Sequence, residues 1–209
     1  YPLRRQRQMC IRDRTLPGEI SAMAYEPGMG YLAVGTSAGT VHLFGSPCVR
    51  MALTLRPALR VKHILFKSDT YLMICIDEKD NLNVYDLSRR DPHAAAMHGA
   101  RRAAPGQTQM TNSDAPMRIG IHSARNVVLC AEVTSIHSML FLGLTDGSVE
   151  AYDLERFCGT QYRIPNLWWN EEEILRRSQV PNAPSRLHTP LIIDIQTHPR
   201  DPGILLLCY

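Results

Sequence analysis

Eight histidines and six cysteines are the residues of this 209-residue chain with the widest chemical reach. Imidazole and thiolate at short, fixed spacing hold zinc, and a histidine beside a serine or cysteine activates a nucleophile. The spacing here supports neither. His42, His63, His122, His137, His188 and His198 are scattered, with no H-E-x-x-H and no Cys/His pairing at ligand distance. His93 and His98 fall in a segment almost devoid of large apolar residues. Cys10, Cys48, Cys75, Cys130, Cys158 and Cys208 form no C-x-x-C pair, and three of them sit inside apolar runs. That pattern reads as buried, reduced thiols in a reducing compartment, hence cytosol. No G-x-S-x-G, P-loop or G-x-G-x-x-G is present; Gly28-Met29-Gly30 reads as a turn between strands. The chemistry expected is therefore that of a binding surface: no enzyme, no metal, no cofactor.

The elements that would carry such a surface are short and regular. Residues 20–25, 31–36 and 40–44 are apolar runs rich in β-branched and aromatic residues, cut by Pro27-Gly28-Met29-Gly30 and Ser37-Ala38-Gly39. They read as strands of a meander, with 49–55 as a fourth. The order returns at 61–67, 71–77 and 81–87, and again at 139–145 and 148–154. Residues 126–133 and 133–137 read as a fourth strand of the second unit running into the first of the third. Asp146-Gly147 predicts a type I′ hairpin turn. Asp86 and Asp153 close the third strands and are expected to fix turns by accepting backbone N–H groups.

The period shows in the third-strand aromatics. Phe44 and Tyr85 are 41 residues apart; Tyr85 and Tyr152 are 67 apart, an excess of 26. Residues 88–116 supply that excess and are expected to be a disordered insertion, since they cannot bury enough surface to order themselves. Four strands at a period of 40–45 residues mark a β-propeller blade. The fold class expected is all-β: about three blades and the start of a fourth. Blade 1 spans about 19–55, blade 2 about 61–131 with its insertion, and blade 3 about 132–165. A second insertion, 166–189, carries a short helix from Asn170, where Glu173 could complete a capping box. Blade 4 begins within 190–209. Within the second insertion Trp168 and Trp169 either pack the loop onto the side of the propeller or serve as candidate anchors for a partner, because interfaces are enriched in tryptophan.

Charge is uneven. Residues 1–14 carry five arginines against Asp13, net +4, so the rest of the chain is −1 although the whole is +3. YPLRRQRQMCIRDR resembles the translated read-through of a sequencing adaptor, and 1–14 is read as a non-native or disordered arm. The body has no basic run that would suggest nucleic acid. No apolar run approaches a membrane span, and no secretory signal precedes the repeats.

LAVGTSAGTVHLFG at 32–45, GLTDGSVEAYDLERF at 143–157, YRIPNLW at 162–168 and PLIIDIQTHPRDPGILLLCY at 190–209 resemble repeats of the Lethal giant larvae–tomosyn family of WD-repeat proteins, its fungal members above all. The resemblance implies a propeller scaffold, one of two packed together in the family. It implies binding of plasma-membrane t-SNARE proteins in exocytosis, with links to Rab-family GTPases, myosin and cell polarity. It further implies a cytoplasmic protein held peripherally at the plasma membrane and cell cortex through its partners. Tyr85-Asp86 and Tyr152-Asp153 stand where an ordinary WD repeat has Trp-Asp. A WD-repeat adaptor unrelated to SNAREs is the alternative, and a propeller-based enzyme a more distant one.

Overall fold

The structure, a computed structural model, describes residues 16–45, 49–90, 115–134, 138–167, 191–198, 200–201 and 203–209. Three four-stranded antiparallel meanders follow one another along the chain. The first holds β1 (Ile20–Glu26), β2 (Tyr31–Thr36), β3 (Thr40–Gly45) and β4 (Val49–Thr54). The second holds β5 (Val61–Phe66), β6 (Leu72–Asp77), β7 (Asn81–Arg90) and β8 (Pro116–Ser123). The third holds β9 (Val128–Val133), β10 (Met139–Leu144), β11 (Val149–Asp153) and β12 (Cys158–Ile164). A hairpin of β13 (Asp194–Thr197) and β14 (Leu205–Cys208) begins a fourth. This is the all-β propeller architecture expected from the 41-residue period.

The sheets stack face to face on the side chains of their middle strands, which are buried on both faces. Val41 and Leu43 of β3 pack on Val61, Met73, Cys75 and Tyr85 of the second sheet. Leu82 and Val84 meet Leu140, Leu142 and Tyr152 of the third. Val149 and Ala151 meet Ile192 and Ile195 ahead of and within the last hairpin. Tyr85 and Tyr152 thus reach back to the preceding sheet. Phe44 occupies their position in the first sheet and is only half-buried.

The same backbone bond closes each repeat. Ser37, Glu78 and Thr145 donate their amides to the carbonyls of Glu19, Arg60 and Val127, at 2.8, 2.9 and 3.0 Å. Each donor sits in the turn between second and third strands, each acceptor just before the first strand.

Three expectations need correction. The fourth strand of the second sheet is β8, not 126–133; the break between sheets lies between Ser123 and Val128. MRIGIH alternates apolar and polar residues; Ile119 packs on the second seam, as does the His122 ring on Tyr152, while Ile121 is exposed. The insertion is correspondingly shorter: Ser88, Arg89 and Arg90 belong to β7 and Pro116 to β8, with Arg90 and Pro116 paired across the sheet. The Asp146-Gly147 turn is not type I′. Gly147 alone has positive φ, +74°, and its amide donates to Leu144 O at 3.0 Å. This is a type I turn closed by a glycine bulge, which also joins strands of native twist. Residues 91–114 and the expected helix after Asn170 lie outside the described residues.

Candidate functional site

Strand parity sorts the long connections onto opposite faces. First and third strands of a meander run one way, second and fourth the other. The connection from β7 to β8 therefore begins and ends on the face of the β1–β2, β5–β6 and β9–β10 turns. The connection from β12 to β13 opens on the face of the second-to-third-strand turns. That second face carries a connected polar cluster.

The cluster is built on Asp146. Its carboxylate accepts the Ser148 amide at 3.0 Å and the Asn126 amide group at 3.0 Å, and it pairs with Arg163. Arg163 also donates to the Ser148 hydroxyl, at 2.8 Å. Partial burial pushes the Asp146 carboxyl up, but the Ser148 bonds, Arg163 and Asn126 outweigh it, so the carboxyl is held below its usual range. The Asn166 side chain donates to Asp146 O at 3.1 Å. Leu167 donates its amide to the Tyr209 hydroxyl at 2.9 Å, and that hydroxyl reaches Gly147 O at 3.5 Å. The chain leaving β12 is thus tied to one turn and to the last hairpin as far as the exposed Leu167. Trp168 and Trp169 follow directly and lie outside the described residues.

A second polar feature lies in the seam between the second and third sheets. Glu150 and Tyr152, two residues apart on β11, share the face turned toward β8. Both are buried, and the His122 ring packs on Tyr152 with centroids 5.2 Å apart. Burial pushes the Tyr152 phenol up to about 12. Together with Arg125 and Thr160 they line a cleft of about 140 Å³. Its residues were not among the candidates drawn from sequence. The available signal was Glu150 itself, a charge at a strand position whose alternation faces the core.

In the same seam, where Asp80 also accepts the Val128 amide, Lys62 pairs with Asp80 at 2.8 Å. His63 sits beside them, its Nε2 buried without a hydrogen bond. Asp153 fixes a turn as expected, whereas Asp86 lies inside β7, which runs on to Arg90, and fixes none. Asp86 accepts Ser88 N at 2.9 Å, and Asp153 accepts Glu155 N and Arg156 N at 2.8 and 3.0 Å. Those bonds, Arg156 N first, hold the Asp153 carboxyl below its usual range. Among the described residues no three His, Cys, Asp or Glu side chains converge as a metal site would require. Burial pushes the Cys75 thiol up, and Cys130 to about 11, away from the reactive thiolate.

No family model matches the chain. It is 26% identical to the Lethal(2) giant larvae protein homolog SRO77 of Saccharomyces cerevisiae over 92% of its own length. It is also 26% identical to LLGL scribble cell polarity complex component 2 of Mus musculus, over 94% of its length, and 24% identical to the Homo sapiens protein of that name. These homologues are Lethal giant larvae family proteins. The chain spans only 15% of the yeast relative and 18% of the mammalian ones. Among solved structures, a WD40-propeller chain of the mitotic checkpoint complex superposes with a TM-score of 0.58 at 11% identity. The match covers 90% of this chain and 43% of that one, which shows the fold alone.

Proposed function

We propose that the protein of which this chain is part is a non-enzymatic scaffold that binds plasma-membrane t-SNARE proteins and regulates vesicle docking and fusion. The observation that carries this reading is the similarity to SRO77 over 92% of the chain, which takes in all three stacked sheets. The mammalian relatives, named for a cell polarity complex, extend the role to polarity. The mechanism is recognition by rigid display. Packed sheets hold connections on two opposite faces, and a SNARE docks against one of them. Trp168 and Trp169, which follow Leu167 in the sequence, are the anchors in this reading. A Rab-family GTPase and myosin are further partners, and the protein works in the cytoplasm, held to the plasma membrane and cortex by what it binds.

A general WD-repeat adaptor is the second reading, since the superposition on the checkpoint-complex chain at 11% identity gives a fold that both readings share. Affinity capture with the full-length protein, without nucleotide, separates the two. Enrichment of plasma-membrane t-SNAREs supports the first; recovery of only ubiquitin-ligase or chromatin subunits supports the second.

A further inference from the structure

The first two seams between sheets follow one plan, and a side chain that completes the first is absent from the second. Backbone bonds fix the correspondence. Leu55 N donates to Gly39 O at 2.8 Å, and Ala124 N to Asp80 O at 3.1 Å. Arg56 therefore matches Arg125. Counting along the third strands from Gly39, Asp80 and Gly147 matches Asn83 with Glu150 and Tyr85 with Tyr152. Across to the fourth strand, Tyr85 pairs with Arg118, whereas Tyr152 pairs with Gly159.

In the first seam Arg118 Nη1 donates to Asn83 Oδ1 at 3.3 Å and to Arg56 O at 3.1 Å. In the second seam that guanidinium has no counterpart, because Gly159 has no side chain. A Cβ there would lie 2.6 Å from His122 Cε1, so a larger residue would have to displace the imidazole packed on Tyr152. At the same time the neutral Asn83 is replaced by the carboxylate Glu150. What remains is the cleft of about 140 Å³, walled by Glu150, Tyr152, His122 and Thr160. The Tyr152 hydroxyl and Glu150 Oε1 are buried there without a hydrogen bond. Arg125 approaches Glu150 Oε1 at 3.4 Å, but from a side chain that is 69% exposed. A pair of that kind is held weakly and is readily exchanged.

Volume limits the occupant. Sites for cofactors and drug-sized ligands occupy about 300–1,000 Å³. This cleft is smaller, and has room for one side chain. Charge selects its type: an acceptor-only carboxylate and a phenol lacking a partner call for a cationic donor.

We propose that the cleft between the second and third sheets receives one arginine or lysine side chain of a partner protein, whose cation takes on Glu150 the place that Arg118 holds on Asn83. The inference does not depend on which partner the scaffold serves. It implies that binding is competitive with Arg125, which swings to solvent when the cleft fills.

Hydrogen exchange of the full-length protein tests this, with capped arginine amide, capped lysine amide and capped citrulline amide as probes at millimolar concentration. The cationic probes should protect amides of β8 and β11, and the neutral citrulline probe should not. Glu150→Gln, which keeps the shape and removes the charge, should weaken that protection by about tenfold or more. Arg125→Gln should act in the opposite direction and tighten binding, and it decides the matter even where Glu150→Gln fails to fold. Equal protection by citrulline, indifference to Arg125→Gln, or no protection by any probe would mean a cleft that holds water only and would overturn the proposal. Binding of free spermidine without binding of an arginine-bearing peptide would overturn the assignment to a protein partner.

Discussion

The Asp80 carboxylate accepts the Val128 backbone amide at 3.0 Å, joining a turn of the second sheet to the first strand of the third. The same oxygen holds Lys62 at 2.8 Å. Asp80 does this at φ +60°, in the position where the other two repeats have Gly39 and Gly147. Left-handed backbone costs a side-chain-bearing residue about 1–2 kcal/mol, least for Asp and Asn. Two charge-assisted bonds of about 1.5–3 kcal/mol each offset it.

Asp80→Ala should therefore lose about 3 kcal/mol in urea unfolding, since it drops both bonds and keeps the strained backbone. Asp80→Gly drops the same bonds but relieves the backbone, and should lose about half as much. Equal losses would show that the left-handed conformation carries no cost here.

The fold lay closer to the surface of the sequence than the site did. The 41-residue spacing of Phe44 and Tyr85 is a property of whole repeats, so it survives errors in any single strand. The strand Pro116–Ser123 is hard to see in sequence because Pro116 continues the polar stretch before it. Its alternation of Met117, Ile119 and Ile121 with Arg118, Gly120 and His122 was sufficient to find it. The cleft was harder to see. It depends on Gly159 facing Tyr152 and Glu150 replacing Asn83, comparisons that need strand registers rather than composition. Trp168 and Trp169 stood out by residue type alone.

His63 makes stability depend on pH. Burial lowers its pKa, the neighbouring Lys62 lowers it further, and Asp80 partly opposes them. The folded protein thus binds a proton less readily than the unfolded chain. Stability from this group is complete above the unfolded value of about 6.5 and is lost as pH falls below it. The urea midpoint of the wild type should drop between about pH 7.5 and 5.5. His63→Leu should flatten that slope. An unchanged slope would place the proton uptake elsewhere.

Asp146 acts in acid. Its carboxyl is held below the usual range, so it adds stability above the unfolded carboxylate pKa and loses it as pH falls through the folded value. The pair with Arg163 is half-exposed, so the effect is local. Asp146→Asn at neutral pH should speed amide exchange at Arg163 and Leu167 while leaving the global melting temperature within about 2 °C. Loss of global stability instead would make the turn part of the folding core.

The 209-residue polypeptide taken alone should self-associate. Met23 and Tyr25 on β1 are 64% and 63% exposed, and Ile193 and Leu206 at the other end are 70% and 62% exposed. Apolar side chains on unpaired flanking sheets favour association. Sedimentation should show species above monomer that diminish in the double variant Tyr25→Lys, Leu206→Lys. A monomer with a sharp cooperative melt would contradict this.

The most direct test of the scaffold reading is a titration of purified plasma-membrane t-SNARE protein into the full-length protein without nucleotide, repeated with Trp168→Ala, Trp169→Ala. Saturable binding that the double variant weakens by about tenfold or more is the expected result, since anchoring tryptophans at interfaces are commonly worth 2 kcal/mol or more. No saturable binding by the wild-type protein would contradict the account.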